Sequence, residues 1–176
     1  MTRSFLFAGF GGQGVLFAGK VLAYAGLCEG YFVTWLPSYG PETRGGTSNC
    51  SVVISDREIG SPLVTQPDVF IALNRPSYDK LIDSVTSGGA VIMDSTLVGR
   101  ESERGDIVSH SVQATALAGQ AELEGLSNMI LLGKLFKETG LFGDETIKQA
   151  VEKSVSEKRK DLVASNLRAI ELGKKQ

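Results

Sequence analysis

Residues 5–14 read Phe-Leu-Phe-Ala-Gly-Phe-Gly-Gly-Gln-Gly. The run at 5–8 is short, continuous and apolar, which is typical of a strand covered on both faces, as in parallel sheets. Gly9, Gly11 and Gly14 then form Gly-x-Gly-x-x-Gly, a motif that links such a strand to a helix. Its glycines allow a tight turn, a close approach to a phosphate, and close packing of helix on strand. This stretch predicts the start of an open α/β sheet.

The helix that follows, predicted at residues 12–28, is apolar on nearly every side, with Lys20 as its one charged residue. A surface helix carries a polar stripe, so this one must be covered by more than its own sheet. A run rich in β-branched and aromatic residues at 31–36 stops at Pro37. It predicts a second strand and therefore a β-α-β unit.

Strand and helix signals continue to alternate along the chain. Further strands are predicted at 48–54, at 68–73, at 90–93 and around Val108, and helices at 76–85, 112–123, 128–139, 144–158 (capped by Asp144) and 161–172. The sequence thus predicts an α/β fold with a Rossmann-like, mostly parallel sheet flanked by helices and a helical C-terminal segment. We expect one domain over residues 1–176, because neither a repeat nor a low-complexity linker divides them.

Composition excludes several classes of function. Eighteen basic and twenty acidic side chains give a net charge of -2, so no general field draws the chain to nucleic acid or to an anionic membrane. The longest uncharged stretch is shorter than the roughly 20 residues of a membrane span, and we expect a cytoplasmic protein. Cys28 and Cys50 are too few and too separated for zinc or an iron–sulfur cluster, and are predicted to be buried thiols. His110 and the Asp94-Ser95-Thr96 segment are assigned structural roles.

The glycine motif has two interpretations. A dinucleotide site needs an acidic partner for the ribose at the end of the second strand, yet that strand ends at Leu36-Pro37-Ser38. Glu29 precedes the strand, and Glu42 and Arg44 lie well beyond its end. The other interpretation is a glycine turn used for packing, or for an unrelated ligand or partner, where the exposed N–H groups would favour an anion.

A second distinctive loop, Ser-Tyr-Gly-Pro-Glu-Thr-Arg-Gly-Gly, occupies residues 38–46. Because it follows the second strand, it should lie at the same carboxyl edge of the sheet as the glycine turn, where open α/β sheets bind ligands. Arg44 offers a planar fork for carboxylate or phosphate, although an Arg44–Glu42 ion pair could merely hold the loop. The candidate subunit-interface or ligand-edge residues are Gly9, Gly11, Gly12, Gln13, Gly14, Tyr39, Gly40, Glu42, Arg44, Gly45 and Gly46.

These motifs together resemble the gamma subunit of 2-oxoacid:ferredoxin oxidoreductases. The resemblance rests on the glycine turn extended to Val15, the 38–46 loop, Ile-Ser-Asp at 54–56 leading to Ile-Gly-Ser-Pro at 59–62, Pro67-Asp68, Asn128-Met129 with Leu132-Gly133, and the 166–173 helix. It covers nearly the whole chain. The intact Ser-Tyr-Gly-Pro-Glu-x-Arg-Gly-Gly loop is most similar to the 2-oxoglutarate type.

The resemblance implies oxidative decarboxylation of a 2-oxoacid, foremost 2-oxoglutarate, to its acyl-CoA with reduction of ferredoxin. It implies partners: alpha and beta subunits, a ferredoxin-like delta subunit in some complexes, and coenzyme A as a possible contact. Thiamine diphosphate, Mg and iron–sulfur clusters would belong to partner subunits, so no catalytic or metal-binding residue is assigned here, and the chain alone should be inactive. Two other hypotheses stay open: a stand-alone NAD(P)- or flavin-binding oxidoreductase, and a sensor of anionic metabolites.

Overall fold

The computed structural model describes residues 1–39 and 46–176, and leaves out the side chain of Tyr39 as well as residues 40–45. The described strands are β1 (Thr2–Phe10), β2 (Phe32–Tyr39), β3 (Thr47–Ser55), β4 (Val69–Ala72), β5 (Ala90–Asp94) and β6 (Val108–Val112). The helices are α1 (Val15–Cys28), α2 (Arg75–Leu81), α3 (Ser95–Val98), α4 (Ala114–Gln120), α5 (Ser127–Thr139), α6 (Asp144–Ser154) and α7 (Leu162–Lys174), with 3-10 turns at Ile82–Ser84 and Glu157–Arg159. Among these helices, none has the length and apolar content that crossing a membrane requires.

The six strands form one sheet in the order β2-β3-β1-β4-β5-β6. β1, β4, β5 and β6 are parallel neighbours, whereas β3 is antiparallel to both β1 and β2. Only β3 runs against the common direction, so the predicted α/β fold with a mostly parallel sheet is confirmed. The strands predicted at 48–54, 68–73 and 90–93 are correct to within one residue at each end.

The second strand differs from its prediction in two ways. β1 and β2 run in the same direction, as in a β-α-β unit, but β3 lies between them because β2 and β3 form an antiparallel pair. The strand also continues through Pro37 to Tyr39, so the prediction that Pro37 ends it was wrong. Proline lacks the N–H that a ladder needs, and it is tolerated here because β2 is the edge strand of the sheet.

Alternate side chains of each strand supply two separate cores, as the period of a strand requires. Phe5 and Phe7 of β1 face a large core that includes side chains of α1 and the C-terminal helices. Leu6 and Ala8 face a smaller core with side chains of α2 and α3. Both faces of β1 are therefore buried, which confirms that its apolar run is a central strand.

The prediction that the apolar helix α1 needs additional cover is confirmed. α1 contacts β1, β2 and β3 on one side, and α6 and α5 on the other. The cover comes from this chain's own C-terminal helices, so burial of α1 does not require another subunit.

Several predicted boundaries were wrong for local reasons. The first helix begins at Val15 rather than residue 12, because Gly12 and Gly14 have φ of 95° and 74°. Val112 pairs with Asp94 in the sheet, which delays α4 to Ala114.

The helix predicted at 144–158 ends at Ser154. Asp144 lies in its first turn without capping it, since Gly143 holds the cap position and makes no side-chain cap bond. The Asp144 carboxylate instead lies 2.6 Å from Lys174 Nζ on α7.

Helices α5 and α7 cross at two glycines. A Cβ on Gly133 would overlap the backbone carbonyl of Ile170, and one on Gly173 would overlap that of Ile130. Because the obstructing atoms are backbone, a small side-chain movement cannot relieve either overlap. The two glycines therefore determine how closely α7 packs on α5.

We expect Gly133→Ala to lower the free energy of unfolding by about 1–3 kcal/mol, because the added methyl group overpacks the α5–α7 crossing. The measurement is denaturant unfolding followed by circular dichroism. The matched control is Gly119→Ala in α4, where a Cβ meets nothing within 4 Å and alanine should stabilise the helix by up to about 1 kcal/mol. Equal effects of the two substitutions would contradict the close crossing.

Candidate functional site

The described ends of two sequence-predicted loops meet at the carboxyl edge of the sheet. The glycine turn follows β1, and the 39–46 loop joins the end of β2 to the start of β3. The Gly11 N–H donates to the Gly46 carbonyl at 3.1 Å, and Phe10 pairs with Thr47 in the adjoining ladder. For the described residues, the expectation that the two loops share one edge is confirmed. Gly40, Glu42, Arg44 and Gly45, and the side chain of Tyr39, lie outside the described part of the chain.

The glycine turn is shaped by its own surroundings. Gly12 and Gly14 have left-handed φ values, which glycine adopts without steric cost. A Cβ on Gly9 would lie 2.7 Å from Gln13 Oε1 and 2.9 Å from Leu73 Cβ. A Cβ on Gly14 would overlap the Asn128 side chain. The absence of a side chain at Gly14 thus makes room for Asn128 of α5, whereas the motif alone predicts packing of α1 on the strand.

Asn128 is a site residue whose contact the sequence did not predict. It is buried at the start of α5, and its Nδ2 donates to the Gly14 carbonyl at 3.0 Å. The bond joins residues 114 positions apart in the sequence, so no local sequence pattern predicts it. Asn128 therefore connects the start of α1 to the C-terminal helices.

Gln13 occupies the crevice between the ends of β1 and β4. Its Oε1 accepts from the Phe10 N–H at 2.7 Å and from Asn74 Nδ2 at 2.8 Å. Its Nε2 donates to the Leu73 carbonyl at 3.3 Å. Asn74 is itself held in place, because its Oδ1 caps α2 through the Ser77 N–H at 2.9 Å. A candidate ligand-edge residue therefore uses both its amide oxygen and its amide nitrogen in bonds to its own chain.

This crevice is where an open α/β sheet would bind a ligand. α1 and α2 pack on opposite faces of the sheet, so the ends of β1 and β4 form the topological switch point. Gln13 and Asn74 fill that position. On the other side of β1, β3 takes the place that the second strand holds in a dinucleotide-binding domain. In such a domain an acidic side chain at the end of the strand beside β1 would bind the ribose. Here that strand is β3, which begins at this edge instead of ending there.

The start of α1 can still attract a negatively charged group or a hydrogen-bond acceptor. Gly14 is its cap residue and provides no side-chain cap bond, and no acidic residue lies in the first turn. The free N–H groups of a helix start carry a partial positive charge. The N–H groups at this end of the turn can still donate hydrogen bonds to an acceptor group of a partner or ligand.

The remaining candidates are structural. Burial raises the pKa of the Cys50 thiol to about 12, although Trp35 opposes the shift, and its Sγ lies 3.7 Å from the Val15 carbonyl. Cys28 is only half-buried, so the prediction of two buried thiols was correct for Cys50 alone.

Asp94 is buried and accepts from the Thr96 N–H at 3.1 Å and the Thr115 hydroxyl at 2.5 Å, which confirms its turn-forming role.

His110 is the middle residue of β6, and its Nε2 lies 3.8 Å from Glu138 Oε2. Burial lowers its pKa more than the nearby Glu138 carboxylate raises it. It lines a cavity of about 520 Å³ with Arg3 and Glu138, away from the glycine turn. Within residues 1–39 and 46–176, no three His, Cys, Asp or Glu side chains gather as a metal-binding group, so the described residues do not fit an iron–sulfur cluster.

We expect Gln13→Ala to lower the free energy of unfolding by about 1–3 kcal/mol, because the Phe10 N–H and the Asn74 amide lose their shared acceptor. Gln120→Ala is the matched control: Gln120 is exposed at the end of α4, and its loss should change stability by less than about 0.5 kcal/mol. Thermal and urea unfolding measure both. If the two variants unfold alike, Gln13 does not hold the turn to β4.

Comparison with known proteins places this fold in a family. The model of the pyruvate ferredoxin/flavodoxin oxidoreductase family matches residues 4–176. Ketoisovalerate oxidoreductase subunit VorA from Methanothermobacter thermautotrophicus is 42% identical over 94% of the chain, which spans only 34% of that relative. 2-Oxoglutarate synthase subunit KorC from Methanocaldococcus jannaschii is 35% identical, with 88% of this chain and 84% of that protein covered.

Solved structures agree with the sequence relatives. The gamma subunit of a keto/oxoacid ferredoxin oxidoreductase from Geobacter sulfurreducens is 30% identical, with a TM-score of 0.83 over 98% of this chain and 96% of that one. The 2-oxoglutarate:ferredoxin oxidoreductase from Magnetococcus marinus shares the fold at 23% identity, with a TM-score of 0.88 over 99% of this chain and 30% of its own. The resemblance inferred from the motifs is confirmed: the chain belongs to the pyruvate ferredoxin/flavodoxin oxidoreductase family and has the fold of its gamma subunits.

Proposed function

We propose that this chain is the gamma subunit of a thiamine diphosphate-dependent 2-oxoacid:ferredoxin oxidoreductase. The supporting observation is the end-to-end likeness to gamma-type proteins, since 98% of this chain and 96% of the Geobacter sulfurreducens gamma subunit superimpose. The complex would oxidatively decarboxylate a 2-oxoacid, form the acyl-CoA and reduce ferredoxin, in the cytoplasm.

Within that complex the chain would serve assembly rather than chemistry. Thiamine diphosphate, Mg and iron–sulfur clusters would be held by the alpha and beta subunits, and by a delta subunit where one is present. The glycine turn and the 39–46 loop would form the edge that faces another subunit or coenzyme A. The uncapped start of α1 supports this assignment, because its N–H groups suit an acceptor from either partner.

For the substrate we propose 2-oxoglutarate. The KorC relatives match this chain over most of their own length, and the intact Ser-Tyr-Gly-Pro-Glu-x-Arg-Gly-Gly loop is most similar to that type. Ketoisovalerate is the second candidate, because the VorA relative has the higher identity of 42%.

We expect the chain co-expressed with its organism's alpha and beta subunits to purify as one complex and to reduce ferredoxin with 2-oxoglutarate and coenzyme A. The assay compares 2-oxoglutarate, 2-oxoisovalerate and pyruvate at equal concentration. Controls are this chain alone, expected to be inactive, and the complex prepared without it.

Each contrary result affects a separate part of the proposal. A fully active complex that lacks this chain would contradict the subunit assignment. Preference for 2-oxoisovalerate would reject the 2-oxoglutarate assignment and leave the subunit assignment standing.

A further inference from the structure

The unprotected edge of the sheet carries an uncommon set of side chains. β2 is eight residues long and contains no charged residue. Phe32, Trp35 and Leu36 are 49%, 39% and 37% exposed. Natural edge strands are usually kept from pairing by charges, shortness, bulges or proline, and β2 has only Pro37. An eight-residue apolar edge of this kind is covered in a working protein or it aggregates.

The exposed side chains lie on both faces of the sheet. Trp35 points to the α1 side, because its Nε1 is 3.4 Å from the position of a Cβ on Gly19. By strand alternation, Phe32 and Leu36 point to the other side. Beside Phe32 a groove of about 380 Å³ runs to Glu58 and Ile59. A partner that covers this edge would therefore contact it on both faces of the sheet.

The opposite edge of the sheet provides an internal comparison. β6 has five residues, Val-Ser-His-Ser-Val, and its exposed large apolar side chain is Val108, at 55%. A short strand with polar side chains is the ordinary form of a solvent-facing edge. The two edges of one sheet thus differ in the way that an interface edge differs from a free one.

The relatives indicate what kind of partner accompanies such a domain. In KorC the matching sequence is most of one subunit, whereas in VorA it is 34% of a longer chain. A domain of this kind is thus covalently joined in VorA to a further polypeptide about twice its size. β2 also ends at the carboxyl edge of the sheet, beside the glycine turn that is proposed above to face another subunit.

We propose that the β2 edge, formed by Phe32, Trp35 and Leu36, is the docking surface for the companion subunit that corresponds to the remainder of the VorA chain. The inference rests on the proposed function. It names the surface and the partner: a subunit of the same complex that presents apolar side chains to both faces of the edge. A second copy of this chain is the competing occupant.

The first test is hydroxyl-radical footprinting with mass spectrometry on the co-expressed complex and on this chain alone. Trp35 is the chain's one tryptophan, and chain-specific peptides separate it from tryptophans of the companions. We expect its oxidation rate in the complex to fall by about fivefold or more, because the centre of an interface is desolvated. An unchanged rate overturns the inference.

The second test compares matched substitutions on the two edges. Phe32→Thr and Leu36→Thr each introduce a β-branched residue, which suits a strand, and we expect each to weaken binding of the companion subunit by about tenfold or more. The Val108→Thr variant, on β6, should bind the companion subunit with the same affinity as the wild type. Thermal unfolding of each free variant shows that the fold is retained.

The outcomes separate the two proposals. Wild-type binding by both β2 variants overturns the docking surface but leaves the proposed function standing. Failure of the wild-type chain to bind any companion overturns both. If light scattering shows a dimer of this chain that Phe32→Thr converts to a monomer, the β2 edge belongs to a second copy and the inference is wrong.

Discussion

The structure depends on the hydrogen bonds that Gln13 makes across the end of the sheet. One amide side chain joins the Phe10 N–H, the Leu73 carbonyl and the Asn74 amide, and so connects the turn after β1 to the end of β4 and the cap of α2. The three bonds satisfy polar groups in the crevice, where an unpaired group would cost free energy. Gln13 therefore fixes the glycine turn relative to β4 and α2.

That arrangement changes the meaning of the glycine motif. In a dinucleotide-binding domain the turn stays open to a pyrophosphate, and the second strand delivers the ribose partner beside it. Here the crevice holds Gln13 and Asn74, β3 stands next to β1, and Gly46 accepts a bond from Gly11. Gly9 and Gly14 thus allow close packing against Gln13 and Asn128, and the start of α1 remains available to a partner.

Much of the fold could be predicted from the sequence because it follows local rules. The apolar run before Gly9 and the runs at 68–73 and 90–93 are central strands whose neighbours bury both faces. The nearly all-apolar sequence of α1 predicts its extra cover. The insertion of β3 between β1 and β2 could not be predicted, because periodicity specifies a strand without specifying its neighbours. For the same reason Pro37 predicts the end of a strand, although an edge position tolerates it.

The candidate site was predictable only in outline. That two loops share one edge follows from chain direction, and the described bond between Gly11 and Gly46 confirms it. The partners of Gln13 and Gly14 could not be predicted, since Asn74 and Asn128 are 61 and 114 residues away in sequence. Long-range polar contacts depend on tertiary packing, and a single amide residue in a sequence gives no sign of which backbone group it will meet.

We propose that the glycine turn is a packing element of a subunit rather than a cofactor site. Isothermal titration calorimetry of the purified chain with NADH, NADPH and FAD tests it most directly. We expect no saturable heat with any of the three, because Gln13 and Asn74 bond to each other across the crevice and β3 lies where the ribose-binding strand would stand. Saturable, stoichiometric binding of any one of them with a Kd of about 1–100 μM, the affinity of an ordinary cofactor complex, would contradict it.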